Sequence, residues 1–258
     1  MLTLARGKLI FRAFAERQDK MTVAQMAVAT GLKRSTVYRC LYTLSRLGYL
    51  QNEGSLFSPL VSTVLLGKAY FTRGHWEVAV QPILDGLRDQ FGLTCGLNGF
   101  EDGHAHYVVV AQSRGSLTFV ASVGRRLPAY CTAIGRIFLA DLEPQAVRDY
   151  LRGVTPVPYT AHTTTTLEAL YSRIEDARRD GYSIASQEID LGVRVVAVPV
   201  RSRDGQVVAA LMCGGELSVI ADDKIHQQYL PQLRKVAAEI GLLWDSFDRR
   251  EPVLPRVR

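Results

Sequence analysis

One stretch near the start of the chain combines basic side chains with regularly spaced apolar ones. In AVATGLKRSTVYRCLYTLSRLGYL, residues 27–50, all four charged residues are basic: Lys33, Arg34, Arg39 and Arg46. A guanidinium group can grip guanine bidentately or pair with a phosphate, and Arg34 and Arg39 are suited to either contact. The stretch therefore favours recognition of a polyanion, with nucleic acid as the first choice.

Three other constellations could carry enzyme or metal chemistry. His104-x-His106 would place two imidazoles on one face of a strand, a possible metal pair that lacks a third ligand nearby in sequence. Cys131 could act as a nucleophile, but no partnered base is identifiable. Glu188 and Asp190 could form an acid–base pair, although a binding site suits them equally well. We predict no catalytic site, no metal site and no cofactor.

The 258 residues carry a net charge of +6, which is unevenly distributed. Residues 1–75 contain 11 Lys and Arg against 3 Asp and Glu, whereas residues 76–258 have a net charge of −2. All of the excess positive charge thus lies in the first third, as expected for a part that binds a polyanion. A solvated basic face without a partner is the alternative that charge alone leaves open.

Composition is typical of a globular protein, with 47% hydrophobic and 22% charged residues. The four cysteines are scattered without a C-x-x-C pair, so we expect buried thiols in a reducing compartment. No apolar run reaches 18 residues, and the start of the chain lacks the pattern of a signal peptide. These features predict a cytoplasmic protein without a membrane partner.

The first 58 residues are predicted to form three helices and a hairpin. Residues 7–16 have helical apolar spacing, Thr22 can cap a second helix that Gly31 ends, and a third helix should run to about Leu47. Ala27, Gly31 and Val37 have the spacing of a helix-turn-helix. Two short apolar runs around residues 52–54 predict a β-hairpin directly after the third helix, in the position of a wing.

The third helix has two distinct faces. Its apolar face should dock on the core through Val37, Leu41, Leu44 and Leu47, while the opposite face presents hydroxyl and basic groups to a major groove. Backbone amides at the helix start suit a phosphate. The residues predicted to contact DNA are Lys33, Arg34, Ser35, Thr36, Tyr38, Arg39, Tyr42 and, on the wing, Asn52. An ordinary amphipathic helix pair within a larger fold is the alternative.

Pro59 suits the first turn of a further helix. A helix there would link two domains, so we predict that the chain has three parts. They are a winged helix-turn-helix at 1–58, a linker helix at 59–75 and a second domain at 76–258.

The second domain is predicted to alternate helices and strands. Residues 93–101, 104–112 and 117–123 are expected to be successive strands, and residues 193–215 two strands joined at Asp204-Gly205. Helices are expected at 78–91, 131–142, 144–151, 167–181 and 222–249. Helices packed on a mostly antiparallel sheet make the fold class α+β.

Three blocks of the sequence resemble the IclR family of bacterial transcriptional regulators, and the resemblance covers nearly the whole chain. LARGKLIFRAFAE at 4–16, followed by MTVAQMA, is similar to the family's opening. GRRLPAYCTAIGRIFLADL at 124–142 resembles an effector-domain block with a Thr-Ala-x-Gly-Lys core, here with Arg136 in place of lysine. DGYSIASQEIDLGVRVVAVPV at 180–200 is similar to a second block, matched by Glu188, Gly192 and Arg194. Within the second block, the segment RLPAYCT is similar to that of the subgroup that controls β-ketoadipate and hydroxybenzoate catabolism.

The resemblance implies a winged helix-turn-helix, a linker helix and a GAF-like effector-binding domain that oligomerises. It also implies double-stranded operator DNA as a partner, a homodimer or dimer of dimers, and a small organic acid as effector. The residues expected at the effector site are Arg126, Tyr130, Thr132, Ala133, Arg136, Glu188, Arg194, Met212 and Cys213.

Each expected effector contact has a chemical role and a structural alternative. Arginines and the amides at the helix start near Thr132 would bind a carboxylate, and Tyr130 would stack on an aromatic ring. Met212 and Cys213 would form an adaptable apolar wall. Alternatively, Arg194 pairs with Glu188 or Asp190, and the others are surface or core residues.

The leading hypothesis is a sequence-specific transcriptional regulator that responds to a small organic acid, aromatic or dicarboxylic. The alternative from another class is a small-acid-processing enzyme whose N-terminal module localises it on DNA. A third hypothesis is an architectural DNA-binding protein without an effector.

Overall fold

The computed structural model of the protein describes residues 2–17, 20–60, 63, 76–113 and 119–248. The chain divides into two compact units, Met1–His75 and Trp76–Arg258, each with its own hydrophobic core. The predicted linker helix lies outside the described residues, apart from Pro59, Leu60 and Thr63.

The first unit is a helix-turn-helix followed by a hairpin. Its elements are α1 (Leu2–Arg17), β1 (Met21–Thr22), α2 (Val23–Thr30), α3 (Arg34–Arg46), β2 (Leu50–Glu53) and β3 (Leu56–Pro59). The three short strands form an antiparallel sheet in the order β1-β3-β2. The predicted helices and hairpin are confirmed, with α1 starting earlier than expected.

Local hydrogen bonds explain where α2 begins and ends. The hydroxyl of Thr22 accepts a hydrogen bond from the Gln25 amide at 3.2 Å, and the Gln25 side chain accepts one from the Thr22 amide at 2.9 Å. This reciprocal capping box satisfies two amides that the first turn leaves without helical partners. Gly31 then ends α2 with a φ of +67°, which turns the chain into α3 at little steric cost.

The core of the first unit holds α3 by two buried side chains. Val37 and Leu41 are fully buried together with residues of α1 and α2, and Leu44 packs against the same cluster. Two expectations were wrong. Leu47 is 63% exposed because it lies just beyond α3 as its C-cap, and Pro59 ends β3 instead of opening a helix.

The second unit is built on a six-stranded antiparallel sheet. Its strands are β4 (Thr94–Glu101), β5 (His104–Ala111), β6 (Arg126–Pro128), β7 (Ser183–Ser186), β8 (Val193–Arg201) and β9 (Val207–Glu216). Their order is β6-β5-β4-β9-β8-β7. The hairpin predicted at Asp204-Gly205 joins β8 to β9, and Gly205 supplies the positive φ of its turn.

Helices cover both faces of this sheet. The helices are α4 (Trp76–Phe91), α5 (Ala133–Asp141), α6 (Pro144–Gly153), α7 (Leu167–Asp180), the single turn α8 (Asp222–Lys224), a π-helical turn (Ile225–Tyr229) and α9 (Leu230–Asp248). One core lies between the sheet and α4 with α9, a second lies between the sheet and α5, and α6 and α7 pack beyond α5. The α+β class is therefore confirmed.

The second unit departs from the sequence predictions in two strands. Of the strand predicted at 117–123, residues 117 and 118 lie outside the described residues and residues 119–123 form no strand. On the side of β5 away from β4, the neighbouring strand is the short β6 that follows them. β7 was not predicted, because SIAS is too short and too polar to give a clear alternating pattern.

Candidate functional sites

The outer face of α3 presents the side chains predicted to meet DNA. Ser35, Tyr38, Arg39, Tyr42 and Arg46 are all exposed. The Tyr38 and Tyr42 rings stack on each other with centroids 6.3 Å apart and an interplanar angle of 22°. Since these rings lie one helical turn apart, they form an aromatic pair on the exposed side of α3 that also carries Arg39.

The start of α3 offers charge and backbone donors together. Lys33 is the N-cap residue and its side chain makes no capping hydrogen bond, while both Lys33 and Arg34 are exposed and Thr36 is half-buried. The first amides of a helix have no intrahelical acceptor, and the helix dipole is positive there. This end of α3 is therefore suited to a phosphate.

The hairpin is tied to α3 and extends its surface. The Ser45 hydroxyl donates a hydrogen bond to the Leu50 carbonyl at 3.1 Å, which fixes β2 against the end of α3. Asn52 is exposed on β2, and the carboxylate of Glu53 pairs with Lys20. Helix and hairpin thus have the arrangement of a recognition helix with a wing.

A cavity of about 40 Å³ lies in the second unit at the start of α5. Its walls are mostly apolar, with a small number of polar groups, as is usual for a small-molecule site. The lining residues are Tyr107, Phe119, Arg125, Leu127, Cys131, Thr132, Ala133, Ile134, Ala185, Glu188, Ile189, Asp190, Val193 and Val195. Among the residues expected at an effector site, Thr132, Ala133 and Glu188 line this cavity.

Thr132 organises the helix start that faces the cavity. Its hydroxyl oxygen accepts a hydrogen bond from the Gly135 amide at 3.1 Å, and its hydroxyl donates to the Pro128 carbonyl at 3.1 Å. The hydroxyl therefore caps α5 as an acceptor and uses its one proton on the Pro128 carbonyl. Ala133 and Ile134, in the first turn of α5, line the cavity, so the positive end of the helix dipole lies at this wall.

Arg125 brings a positive charge to the cavity. One of its guanidinium nitrogens donates to the Val120 carbonyl at 2.9 Å, and another lies 3.9 Å from a carboxylate oxygen of Asp190. The backbone of Tyr107 fixes this segment, because its amide donates to the Arg125 carbonyl at 3.2 Å and its carbonyl accepts from the Gly124 amide at 2.9 Å.

Tyr107 supplies a hydroxyl to the same cavity. Its side chain is 2% exposed, and its hydroxyl forms no hydrogen bond with the described part of the chain. Burial raises the pKa of Tyr107 to about 12, with Arg125 lowering it and Asp190 raising it. The phenol is thus neutral at physiological pH and can donate or accept a hydrogen bond.

A buried ion pair lies behind the cavity. The Arg136 guanidinium makes two parallel hydrogen bonds to Glu188, Nη1 to Oε1 at 2.7 Å and Nη2 to Oε2 at 2.6 Å. Arg136 also donates to the Tyr130 carbonyl at 3.2 Å, and both charged side chains are almost fully buried. Arg136 therefore holds Glu188 in place and has no contact with the cavity, which corrects its expected role.

Three other expected effector residues lie elsewhere. Arg126 is directed to Glu101, with its guanidinium 3.8 Å from the carboxylate. The Tyr130 hydroxyl exchanges hydrogen bonds with the backbone of Val157 in a separate groove. Arg194 pairs with Asp222 at 2.6 Å, so the predicted alternatives Glu188 and Asp190 are also wrong.

Met212 and Cys213 lie on opposite faces of β9, because successive side chains of a strand alternate. Met212 is buried on the α5 side without reaching the cavity lining, and Cys213 is buried on the α4 and α9 side. The predicted wall made of both side chains is therefore wrong.

A β-bulge explains why the sequence pattern missed Tyr107. Leu97 pairs with Val109 and Asn98 pairs with Tyr107, so Val108 is an extra residue in β5. Without the bulge, Tyr107 and Val109 would face the same core; instead Tyr107 joins the α5 side and Val109 the other. The strict alternation in HAHYVVVA gives no sign of this change.

The candidate enzyme and metal groups have ordinary environments. Burial raises the pKa of Cys131 to about 12, which leaves its thiol protonated, and burial lowers the pKa of His106. Within the described ranges, no three His, Cys, Asp or Glu residues are grouped to hold a metal ion. In the same ranges, no helix is both long and apolar enough to span a bilayer.

Two family profiles match this chain. The profile described as "IclR helix-turn-helix domain" matches residues 3–54, and "Bacterial transcriptional regulator IclR C-terminal" matches residues 69–242. The chain is 34% identical to the Pca regulon regulatory protein of Pseudomonas putida over 241 residues, which cover 93% of this chain and 83% of the relative.

Solved structures share the fold along the chain. A transcriptional regulator from Rhodococcus sp. RHA1 gives a TM-score of 0.79 at 30% identity, with 95% of this chain and 99% of that chain covered. An IclR homologue from Microbacterium hydrocarbonoxydans, complexed with 4-hydroxybenzoate, gives 0.76 at 21% identity over 96% and 100% of the two chains.

Proposed function

The chain belongs to the IclR family of transcriptional regulators, and from this premise we propose how its two units work. The first unit reads operator DNA with α3 and the wing, in the bacterial cytoplasm. The cavity at the start of α5 binds a small aromatic acid that controls transcription. The observation that carries the proposal is the exposed basic and aromatic face of α3 beside a wing. The cavity in the second unit gives the same chain a place for a small ligand.

On DNA, the predicted residues have separable roles. Arg39, flanked by the stacked Tyr38 and Tyr42, projects from the middle of the exposed face and reads base edges. Lys33, Arg34, Ser35 and Thr36 surround the amides at the start of α3 and bind phosphate, and Asn52 on the wing contacts the adjacent backbone.

Arg39→Ala should weaken operator binding by about 1–3 kcal/mol, because it removes a bidentate base contact. Operator fragments identified by footprinting upstream of the gene would be titrated with the full chain at several salt concentrations. The affinity of the wild type should fall steeply with salt, since phosphate contacts release counterions.

Arg173→Ala is the matched control, because Arg173 is an exposed arginine on α7 in the other unit. It removes the same charge and should leave operator affinity unchanged. Equal operator affinity for wild type and an Arg34→Ala/Arg39→Ala double variant would refute the assignment of α3.

We further propose that the chain binds DNA as a homodimer or a dimer of dimers. One recognition helix contacts only a few base pairs, so useful specificity needs two half-sites about 10 base pairs apart or a multiple of that. Sedimentation of the free and operator-bound protein checks this proposal, and a monomer that retains tight specific binding would exclude it.

The effector proposal depends on the chemistry of the cavity and on what relatives bind. Phe119, Leu127, Ile134, Val193 and Val195 offer apolar surface for a ring. The first amides of α5 and the Arg125 guanidinium offer charge-assisted hydrogen bonds that offset desolvation of a carboxylate. The Microbacterium hydrocarbonoxydans homologue was solved with 4-hydroxybenzoate, an acid of this kind.

Protocatechuate or 4-hydroxybenzoate should raise the melting temperature of the full chain, because a ligand that binds only the folded state stabilises it by mass action. The same acids should change operator affinity in the footprinting assay. Purified protein would also be incubated with each acid, since turnover would favour the enzyme alternative. If calorimetry detects no binding of either acid, the proposed effector class is refuted.

A further inference from the structure

We propose that Tyr38 and Tyr42 on α3 recognise thymine in the operator through its C5-methyl group, next to a guanine that Arg39 reads. This inference rests on the proposed DNA-binding function and specifies which bases each half-site contains. Phosphate contacts hold α3 on any duplex, whereas these contacts select the sequence.

The first argument is the set of side chains that α3 lacks. Its 13 residues, RSTVYRCLYTLSR, include no Asn, Gln, Asp or Glu. Asn and Gln are the usual readers of adenine, and Asp and Glu accept a hydrogen bond from cytosine. Hydroxyl side chains such as Ser35 bind several bases and discriminate little. Selection among bases by α3 therefore depends on its arginines and its aromatic rings.

Guanine is the base that an arginine on α3 recognises best, because its O6 and N7 accept both arms of a guanidinium. Arg39 is exposed in the middle of α3, and the helix carries no acidic side chain that would compete for it. This contact accounts for one base pair and leaves the rest of the half-site to the two rings.

The second argument is the ring surface that α3 exposes. Tyr38 and Tyr42 are 54% and 53% exposed, on the side of the helix opposite the buried Val37 and Leu41. In the major groove, thymine is the one base that presents a methyl group. Contact between a ring and this methyl removes apolar surface of both from water, which is favourable. The rings therefore match thymine better than the other three bases.

The third argument is the spacing of the two rings. Their centroids lie 6.3 Å apart, with an interplanar angle of 22°. Successive base pairs are separated by about 3.4 Å, so two steps span about the same distance. Since the rings stack on each other in the absence of DNA, little side-chain entropy is lost when they bind. The pair thus fits two thymine methyl groups about two base pairs apart.

The experiment replaces thymine by uracil, which pairs with adenine in the same way and lacks only the methyl group. Operator fragments found by footprinting would be synthesised with thymine or with uracil in both half-sites. Both would be titrated with the full chain at one salt concentration. The wild-type Kd should rise by about fourfold for each methyl contact that is lost, as expected for burial of one methyl group.

Two double variants separate the rings from their hydroxyls. Tyr38→Ala/Tyr42→Ala should bind the thymine operator as weakly as the wild type binds the uracil operator. It should also bind its two operators within about twofold of each other, because ring and methyl act as a coupled pair. Tyr38→Phe/Tyr42→Phe keeps both rings, so its ratio of uracil to thymine Kd should equal that of the wild type. Melting temperatures would show that both variants are folded.

Tyr159→Ala is the matched control. Tyr159 is 48% exposed and belongs to the second unit. Its substitution removes the same ring from a different surface, and it should change neither the operator affinity nor the ratio of uracil to thymine Kd.

The outcomes distinguish the two proposals. If the wild type binds no operator fragment, the proposed function fails. If it binds the thymine and uracil operators equally, or if the footprinted half-sites contain no thymine, DNA binding stands and thymine recognition is overturned. If the Phe variant loses its sensitivity to uracil as the Ala variant does, the hydroxyls and not the rings make the contact, and the inference is wrong.

Discussion

Arg136→Met should lower the free energy of unfolding of the second unit by about 3–5 kcal/mol, because it leaves the Glu188 carboxylate buried without its cation. A methionine fills much of the same space, so the loss of charge pairing dominates over the loss of packing. The measurement is urea denaturation of the full chain followed by tryptophan fluorescence. Both tryptophans, Trp76 and Trp244, belong to the second unit, so the signal reports on it.

Two further variants separate pairing from general damage. Glu188→Gln added to Arg136→Met removes the stranded charge and should recover most of the loss, which a double-mutant cycle quantifies. Arg152→Met breaks a solvent-exposed pair with Asp149 on α6 and should cost no more than about 1 kcal/mol. Equal losses for the Arg136 and Arg152 variants would contradict the importance of the buried pair.

Gly135→Ala should destabilise the second unit by about 3 kcal/mol or more, because the added carbon has no space. A Cβ at Gly135 would lie 2.2 Å from the Ala129 Cα and 2.4 Å from its carbonyl oxygen. These are backbone atoms that cannot rotate away, so α5 would have to move away from Ala129, which lies between the end of β6 and the Thr132 cap. Fluorescence-detected unfolding and the thermal shift with 4-hydroxybenzoate should both show the loss.

Gly86→Ala is the opposite case on α4. Nothing lies within 4 Å of a Cβ at Gly86, and the residue is exposed inside a helix. Alanine there should stabilise the protein by about 1 kcal/mol through helix propensity. If both substitutions changed stability equally, the close approach of α5 to Ala129 would not be a constraint.

The sequence predicts the first unit well because its signals are local. The capping box at Thr22, the left-handed Gly31 and the i, i+3, i+4 spacing of α3 each act within a few residues. The exposed set on α3 follows directly from that spacing. Leu47 was misplaced because the i, i+3 spacing continues to the residue just beyond the point where the helix ends.

The cavity is only partly predictable, because its residues meet through long-range register. Thr132 and Ala133 were identified from the sequence block at 124–142. The residues that line the cavity with them depend on how β5 and β6 pair. Arg125, and not Arg126, lines the cavity, and neighbouring residues of an extended segment point in opposite directions. Arg136 was assigned to the ligand because nothing local reveals Glu188, which lies 52 residues away, as its partner.

The small volume of the cavity limits the association and dissociation rates of an acid. At about 40 Å³, it is far below the 300–1,000 Å³ or so of typical ligand pockets, so the walls must separate before a ring can enter. The observed association rate should then level off at high acid concentration, at the rate of opening. Acids of different affinity would share the same maximum association rate and differ in their dissociation rates. The protein would therefore discriminate among them through dissociation.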